Sequence, residues 1–341
     1  MSRPPSMLAE RSRQRGYSPE QPAKQAEEAE LGWLAAWADA WSRFWFTPTD
    51  PLPLAIIRIF TGAILTWSCL VWLMDTDAFF GTRGWLPPAE VWRMNDQPWQ
   101  WSWYFAFGSP TAIRVLAGIT LIAALLLTLG LATPLAAWIA LLGLASAANR
   151  APLNTFGLDD MLGMLLVGLA IGPSGSRLSL DRRLLAAEQG RGAVSARATV
   201  ALRLIQVHLC VVYFFSGCGK LFGVTWWEGV AIWGAAANGQ YRTLDLTWLA
   251  AHPLTINAIT LATLFWEVAY VALVWPRLTR RLFLAMAVAV HLGIGLTMGM
   301  MEFGLAMITA NLAFVPAATW RRLLPNDRPS PTFLTPRTDL A

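Results

Sequence analysis

Charge is scarce in this sequence. Only 14% of the 341 residues are charged, while 55% are hydrophobic. A soluble domain carries about 25% charged residues, so this composition excludes an ordinary soluble enzyme. Lysine is scarcer still: Lys24 and Lys220 are the only two. No lysine-rich tract or zinc-finger spacing is present, which argues against nucleic acid as a partner despite a net charge of +5. The three histidines, His208, His252 and His291, form no HxxxH or HExxH pair, so no metal is expected. The three cysteines, Cys69, Cys210 and Cys218, form no CxxC and lie in or beside apolar runs. Small buried hydrophobes are their ordinary role. Cys69 and Cys218 can both approach one surface, which leaves a single disulfide open. A phosphate loop, a dinucleotide fingerprint and a serine elbow are also missing. Two readings that need such motifs, nucleotide binding and serine hydrolysis, drop out.

Long apolar runs are what the chain has in quantity. Stretches near 20 residues recur, and a hydrocarbon core of about 30 Å needs about that many helical residues. The fold class expected is all-α: a polytopic membrane helical bundle of about eight transmembrane helices with interfacial helices. The spans fall at about 52–74, 111–129, 131–148, 158–172, 201–218, 253–275, 282–300 and 303–319. The fourth is short, which predicts a tilted or partly interfacial segment. Residues 31–46 place Trp33, Trp37, Trp41 and Trp45 at a spacing of four, a single helical stripe suited to the headgroup level. Residues 1–30 and 324–341 are polar and read as flexible cytoplasmic tails flanking a domain at 31–323. No cleavable signal peptide is evident. The aromatic stretch 75–110, with Trp85, Trp92, Trp99, Trp101 and Trp103, reads either as an interfacial cap over a ligand site or, equally, as an aromatic belt. An amphipathic helix is expected at 226–238.

Charge then orients the chain. With eight spans and a cytoplasmic N-terminus, the arginine-rich connections 173–200 and 276–281 and the flank from 320 all fall inside. The acidic residues fall mostly outside. The pattern predicts a bacterial-type inner-membrane protein with both termini cytoplasmic, and places Lys220 at the outer face. Arg58 sits near the start of the first span, within reach of the cytoplasmic surface.

Lys220 ends an apolar run in ALRLIQVHLCVVYFFSGCGKLFGVTWWEG, residues 201–229. Arginine keeps its proton in proteins, whereas a desolvated lysine can lose one. Lys220 is therefore the candidate for proton chemistry, with an interface anchor whose stem snorkels as the plainer alternative. Tyr213 lies seven residues earlier and points the same way if the helix continues. His208 is too far along that helix for contact and reads as a packing residue. Glu267 and His291 are ionisable groups inside spans, which mark either a ligand route or a buried pair. Glu228 stands near enough in sequence to pair with Lys220.

Residues 213–229 also resemble the membrane domain of vitamin K-dependent gamma-carboxylases and their bacterial relatives, the horizontally transferred transmembrane (HTTM) family. The matching positions are Tyr213, Phe214, Gly217, Lys220, Leu221, Trp227, Glu228 and Gly229. Arg58, the Trp266–Glu267 pair and His291 before a glycine-rich run add to the likeness, which extends from about Leu31 to Leu323. The resemblance implies that Lys220 is the base toward a quinol such as menaquinol or vitamin K hydroquinone, with His291 supporting it. Tyr213, Trp227, Glu228 and Glu267 would then contact quinol or substrate. The departures are specific. An asparagine–histidine pair of the carboxylases is replaced here by Gly157, Leu158, Asp159 and Asp160, and a paired lysine by Gly219. No large lumenal region follows the spans. These weigh against glutamate carboxylation. They leave a redox-coupled modification of an exported substrate. The rivals are a non-catalytic membrane partner in peptide maturation, export or immunity, and a small-molecule transporter. Membrane lipids, a lipophilic quinol and an exported peptide or membrane protein are the partners implied.

Overall fold

The computed structural model describes residues 20–94, 101–184 and 193–324, with side chains from residue 32 onward. The expected tails therefore lie outside the described residues at 1–19 and 325–341, as does Trp99. All regular structure among the described residues is helical, apart from one antiparallel bridge between Thr49 and Ser195. The chain divides into residues 1–47 and 48–341.

The first unit is α1, Glu20–Phe46. It starts before the expected boundary at 31. The reason is local: this stretch is built from glutamine, alanine and glutamate, strong helix formers. The tryptophan stripe is real. Trp33, Trp37 and Trp41 are exposed, and the Trp37 and Trp41 rings stack with centroids 5.6 Å apart. Asp39 and Arg43 pair one turn apart, off the stripe.

The second unit is a helical bundle. Its longer helices are α2 (Leu52–Met74), α3 (Pro110–Leu129), α4 (Thr133–Arg150), α5 (Gly157–Ile171), α6 (Ala196–Leu221), α7 (Pro253–Leu273), α8 (Arg277–Met298) and α9 (Met301–Asn311). Prolines sit in the first turn of α2, α3, α4 and α7, where a missing N–H costs nothing. Ser109 and Ser195 cap α3 and α6 through their hydroxyls. Each helix packs on the next, and α9 returns to α2 and α5. The core runs through the middle, from Leu54, Ile57 and Leu65 on α2 to Leu162, Leu165 and Leu166 on α5 and Ala306 and Ala310 on α9.

Helices form at all eight expected positions. Five of them (α2, α3, α6, α7 and α8) are long and apolar enough to cross a membrane. The count becomes six if α9 and the helix Ala317–Leu323, bent from it by 108°, form one span. The chain is thus a multi-pass membrane protein of the all-α class. The short α5 packs one side into the bundle: Leu162, Leu165, Leu166 and Leu169 are fully buried. Its 15 residues reach about 22 Å at ~1.5 Å per residue, less than the ~30 Å of hydrocarbon. Asp160 and Val167 on its other side are exposed.

Two buried arginines tie loops to the ends of the bundle. Arg58 does not snorkel. Its side chain is fully buried, and it donates to the Leu178 carbonyl at 2.5 Å. It lies against Gly130, whose φ of +74° ends α3 in the left-handed region. A side chain there would be strained and would collide with the guanidinium. Asp181 accepts from the backbone of Ala132 and Thr133, locking the 173–184 loop onto the α3–α4 turn. At the other end Arg150 donates to the carbonyls of Leu86 at 2.8 Å and Gly81 at 2.6 Å. Those bonds, with Phe80 stacked on Tyr104 at 4.4 Å, fasten the aromatic cap over α3 and α4. The expected helix at 226–238 is broken into Val224–Trp227 and Ala231–Ala236. Gly229 between them has φ +74° and cannot continue a helix. No disulfide forms: all three cysteines are free, with Cys69 and Cys210 buried.

Candidate functional site

The helix α6 does continue past its apolar run to Leu221, so Tyr213, Ser216, Gly217 and Lys220 share one side of it. That side faces α7. Gly217 makes the approach close: a methyl group there would lie 2.9 Å from the Val268 side chain and 3.0 Å from its backbone nitrogen. The gap lets Lys220 reach Glu267. The Lys220 Nζ lies 2.6 Å from Glu267 Oε2 and donates to Ser216 Oγ at 2.6 Å. It also lies 5.3 Å from the centre of the Trp226 ring. Glu267 is buried, whereas 22% of the Lys220 side chain remains exposed. The Lys220 ammonium and the Ser216 hydroxyl both act on the Glu267 carboxylate. Lys220 therefore pairs with Glu267 and not with Glu228.

Deeper along α6 a second polar chain begins. Tyr270 Oη donates to Asn311 Oδ1 at 2.6 Å, and Asn311 Nδ2 donates to Tyr213 Oη at 3.0 Å. Tyr213 Oη and His291 Nε2 share a further hydrogen bond of 2.7 Å, its direction set by the imidazole tautomer. The other ring nitrogen, Nδ1, is buried and has no hydrogen-bond partner. Aromatic rings wrap the chain: Tyr213 lies 4.2 Å from Tyr270 and 4.8 Å from Trp266, centre to centre, and Phe303 closes on His291. Trp266 is fixed in turn by its indole N–H on the Phe283 carbonyl.

Four of the six candidate residues are thus on the facing sides of α6, α7 and α8. Lys220 and Glu267 form one pair, Tyr213 and His291 the other. Trp227 and Glu228 lie outside this arrangement, exposed on the turn after α6. The Trp227 indole donates to the Leu221 carbonyl, and the Glu228 carbonyl accepts from Asn257. Their part is to shape that turn. Ser216, Tyr270 and Asn311 complete the polar set without having been singled out. Ser216 and Tyr270 had a signal, one helical turn from Lys220 and Glu267. Asn311 had only its polarity in an apolar run. His208 is exposed on α6, apart from both pairs, beside a groove of about 640 Å³ that also borders Asp159 and Asp160. Among the described residues no three His, Cys, Asp or Glu side chains converge as a metal site.

This arrangement offers two things chemically. The Lys220–Glu267 pair can hold one proton in either of two places, as ammonium and carboxylate or as amine and acid. The buried edge also holds a polar atom without a hydrogen-bond partner, His291 Nδ1. Set against known proteins, the chain matches no family model, no curated protein and no solved structure.

Proposed function

We propose that the Lys220–Glu267 pair is a proton-exchange site toward a lipophilic quinol in a bacterial-type cytoplasmic membrane. In this reading the chain is an eight-helix protein related to the HTTM and gamma-carboxylase-like family. Both termini are cytoplasmic, and the site opens on the outer side. The single observation that carries the proposal is an ammonium 2.6 Å from a buried carboxylate between two apolar helices. Intramembrane ionisable groups of this kind are costly and mark functional routes.

The residues suit such a ligand. A quinol hydroxyl needs an acceptor, and its oxidised carbonyl needs a donor. Glu267 is the acceptor in this reading, and His291 is the donor in the tautomer that carries its proton on Nδ1, which has no partner within the protein. When bound, a quinol supplies electrons and transferable hydrogens. Glu267 can take the ammonium proton and leave Lys220 as a neutral amine. That amine can then accept a proton at Nζ, with Ser216 holding the side chain in place. The exposed part of Lys220 gives the proton its exit. The aromatic wall of Tyr213, Trp266 and Tyr270 keeps water from the deeper chain. Redox-coupled modification of an exported substrate is the activity this reading implies.

One observation favours a second reading. The ammonium is bonded to both Ser216 and Glu267, as a purely structural bolt between α6 and α7 would be. The chain would then be a non-catalytic membrane partner of an exported peptide. Purified wild-type protein and Lys220→Ala, in detergent, separate the two. Saturable binding of reduced menaquinone with oxygen uptake that depends on Lys220 is the expected result. Absence of binding across several quinols, with both proteins equally folded, leaves the bolt.

A further inference from the structure

At the end of the bundle where α7 gives way to α8, a cavity of about 520 Å³ is lined by Arg277, Arg280, Arg281 and Arg322, with Leu284 and Val315 among its apolar wall. Among the described residues no carboxylate lines it. The nearby ion pair of Arg321 goes to Asp50, outside this cavity. The geometry points to a binding site for the phosphodiester headgroup of an anionic phospholipid. This inference stands apart from the quinol reading.

Three features argue for an anion. The first turn of α8 holds no acidic residue, and its N-cap, Pro276, offers no capping side chain. The backbone N–H groups of Arg277, Leu278 and Thr279 precede the first intrahelical bond, so the helix end is an anion-seeking pole. Arg277, Arg280 and Arg281 then add like charge to that same pole, which is the wrong sign for the helix dipole. Arg280 has a structural duty: its guanidinium donates to the Val274 and Trp275 carbonyls, closing the end of α7. Arg277, Arg281 and Arg322 are exposed. Guanidinium forks match phosphate oxygens in pairs.

A fourth feature selects lipid over free phosphate. Leu278 and Leu282, one turn apart beside these arginines, are 91% and 68% exposed. Apolar side chains this exposed, next to a basic cavity at the end of two spans, match the boundary between headgroups and acyl chains. Basic pockets between spans at that level hold anionic lipid heads.

The test uses full-length protein in nanodiscs of equimolar phosphatidylglycerol and phosphatidylcholine, with native mass spectrometry counting the lipids retained on release. Wild type is expected to keep phosphatidylglycerol selectively. Arg277→Gln/Arg281→Gln/Arg322→Gln, which spares Arg280, is expected to lose that preference by about 10-fold. Arg183→Gln, an exposed arginine outside the cavity, should keep it. Equal retention of the two lipids by wild type overturns the proposal without recourse to any variant. So does an unchanged preference in the folded triple variant. Displacement of phosphatidylglycerol by millimolar inorganic phosphate assigns the cavity to free phosphate and also overturns it.

Discussion

Lys220 and Glu267 are unequal partners. With 22% of its side chain exposed, Lys220 can swing to the headgroups if the carboxylate is lost. Glu267 is buried and has no such escape. Breaking a buried pair by removing one member costs about 3–5 kcal/mol, because the other charge is stranded. Lys220→Met should therefore lower thermal stability in detergent more than Glu267→Gln does. The double variant should recover most of the loss. Equal single effects in a thermal-shift series would mean that both charges are equally solvated, contrary to the structure. Asn311 makes a second case. Asn311→Leu leaves the Tyr270 hydroxyl without its partner, at about 1–3 kcal/mol for a stranded buried group, while Tyr213 keeps His291. A lower melting temperature, and a smaller loss for Tyr270→Phe, are expected. The ionisable members of the site could be read from the sequence because charge inside an apolar run is conspicuous. Asn311 could not, because an uncharged polar residue in a span has several cheap uses. Trp227 and Glu228 were conspicuous for a different reason, their match to the motif of the family that the segment resembles.

Helix contacts decide which of those residues meet. Gly217 lets α6 approach α7, and any larger side chain must push against Val268. Gly217→Val should separate the two helices, at about 1–3 kcal/mol for overpacking. It should also weaken whatever ligand binding depends on Lys220. Unchanged stability and binding would show that the glycine is incidental. Apolar length revealed where the helices lie, since it repeats near the spacing a bilayer demands. It did not reveal that the leucines of α5 are buried in the core, because a short apolar run looks the same in a core as at an interface. Nor did it reveal Arg58 as a buried clamp. Its carbonyl partner at Leu178 is 120 residues away, and no local pattern encodes it.

For the molecule as a whole, arginine placement sets the expected orientation. Arg183 and Asn238 lie on connections predicted to face opposite sides, and both are exposed. In intact cells a membrane-impermeant maleimide should label Asn238→Cys at once and Arg183→Cys only after permeabilisation. The reverse pattern would invert the topology and move Lys220 to the cytoplasmic side. The short α5 has a consequence for how the chain is made. A translocon releases a segment into lipid when that segment is long and apolar enough to remain there alone, and 15 residues fall short. Residues 157–171 are therefore expected to reach their packed position only once α6 has followed them. With synthesis truncated just after Ile171, a cysteine placed at Leu165 should react with a membrane-impermeant maleimide, and synthesis continued through Leu221 should shield it.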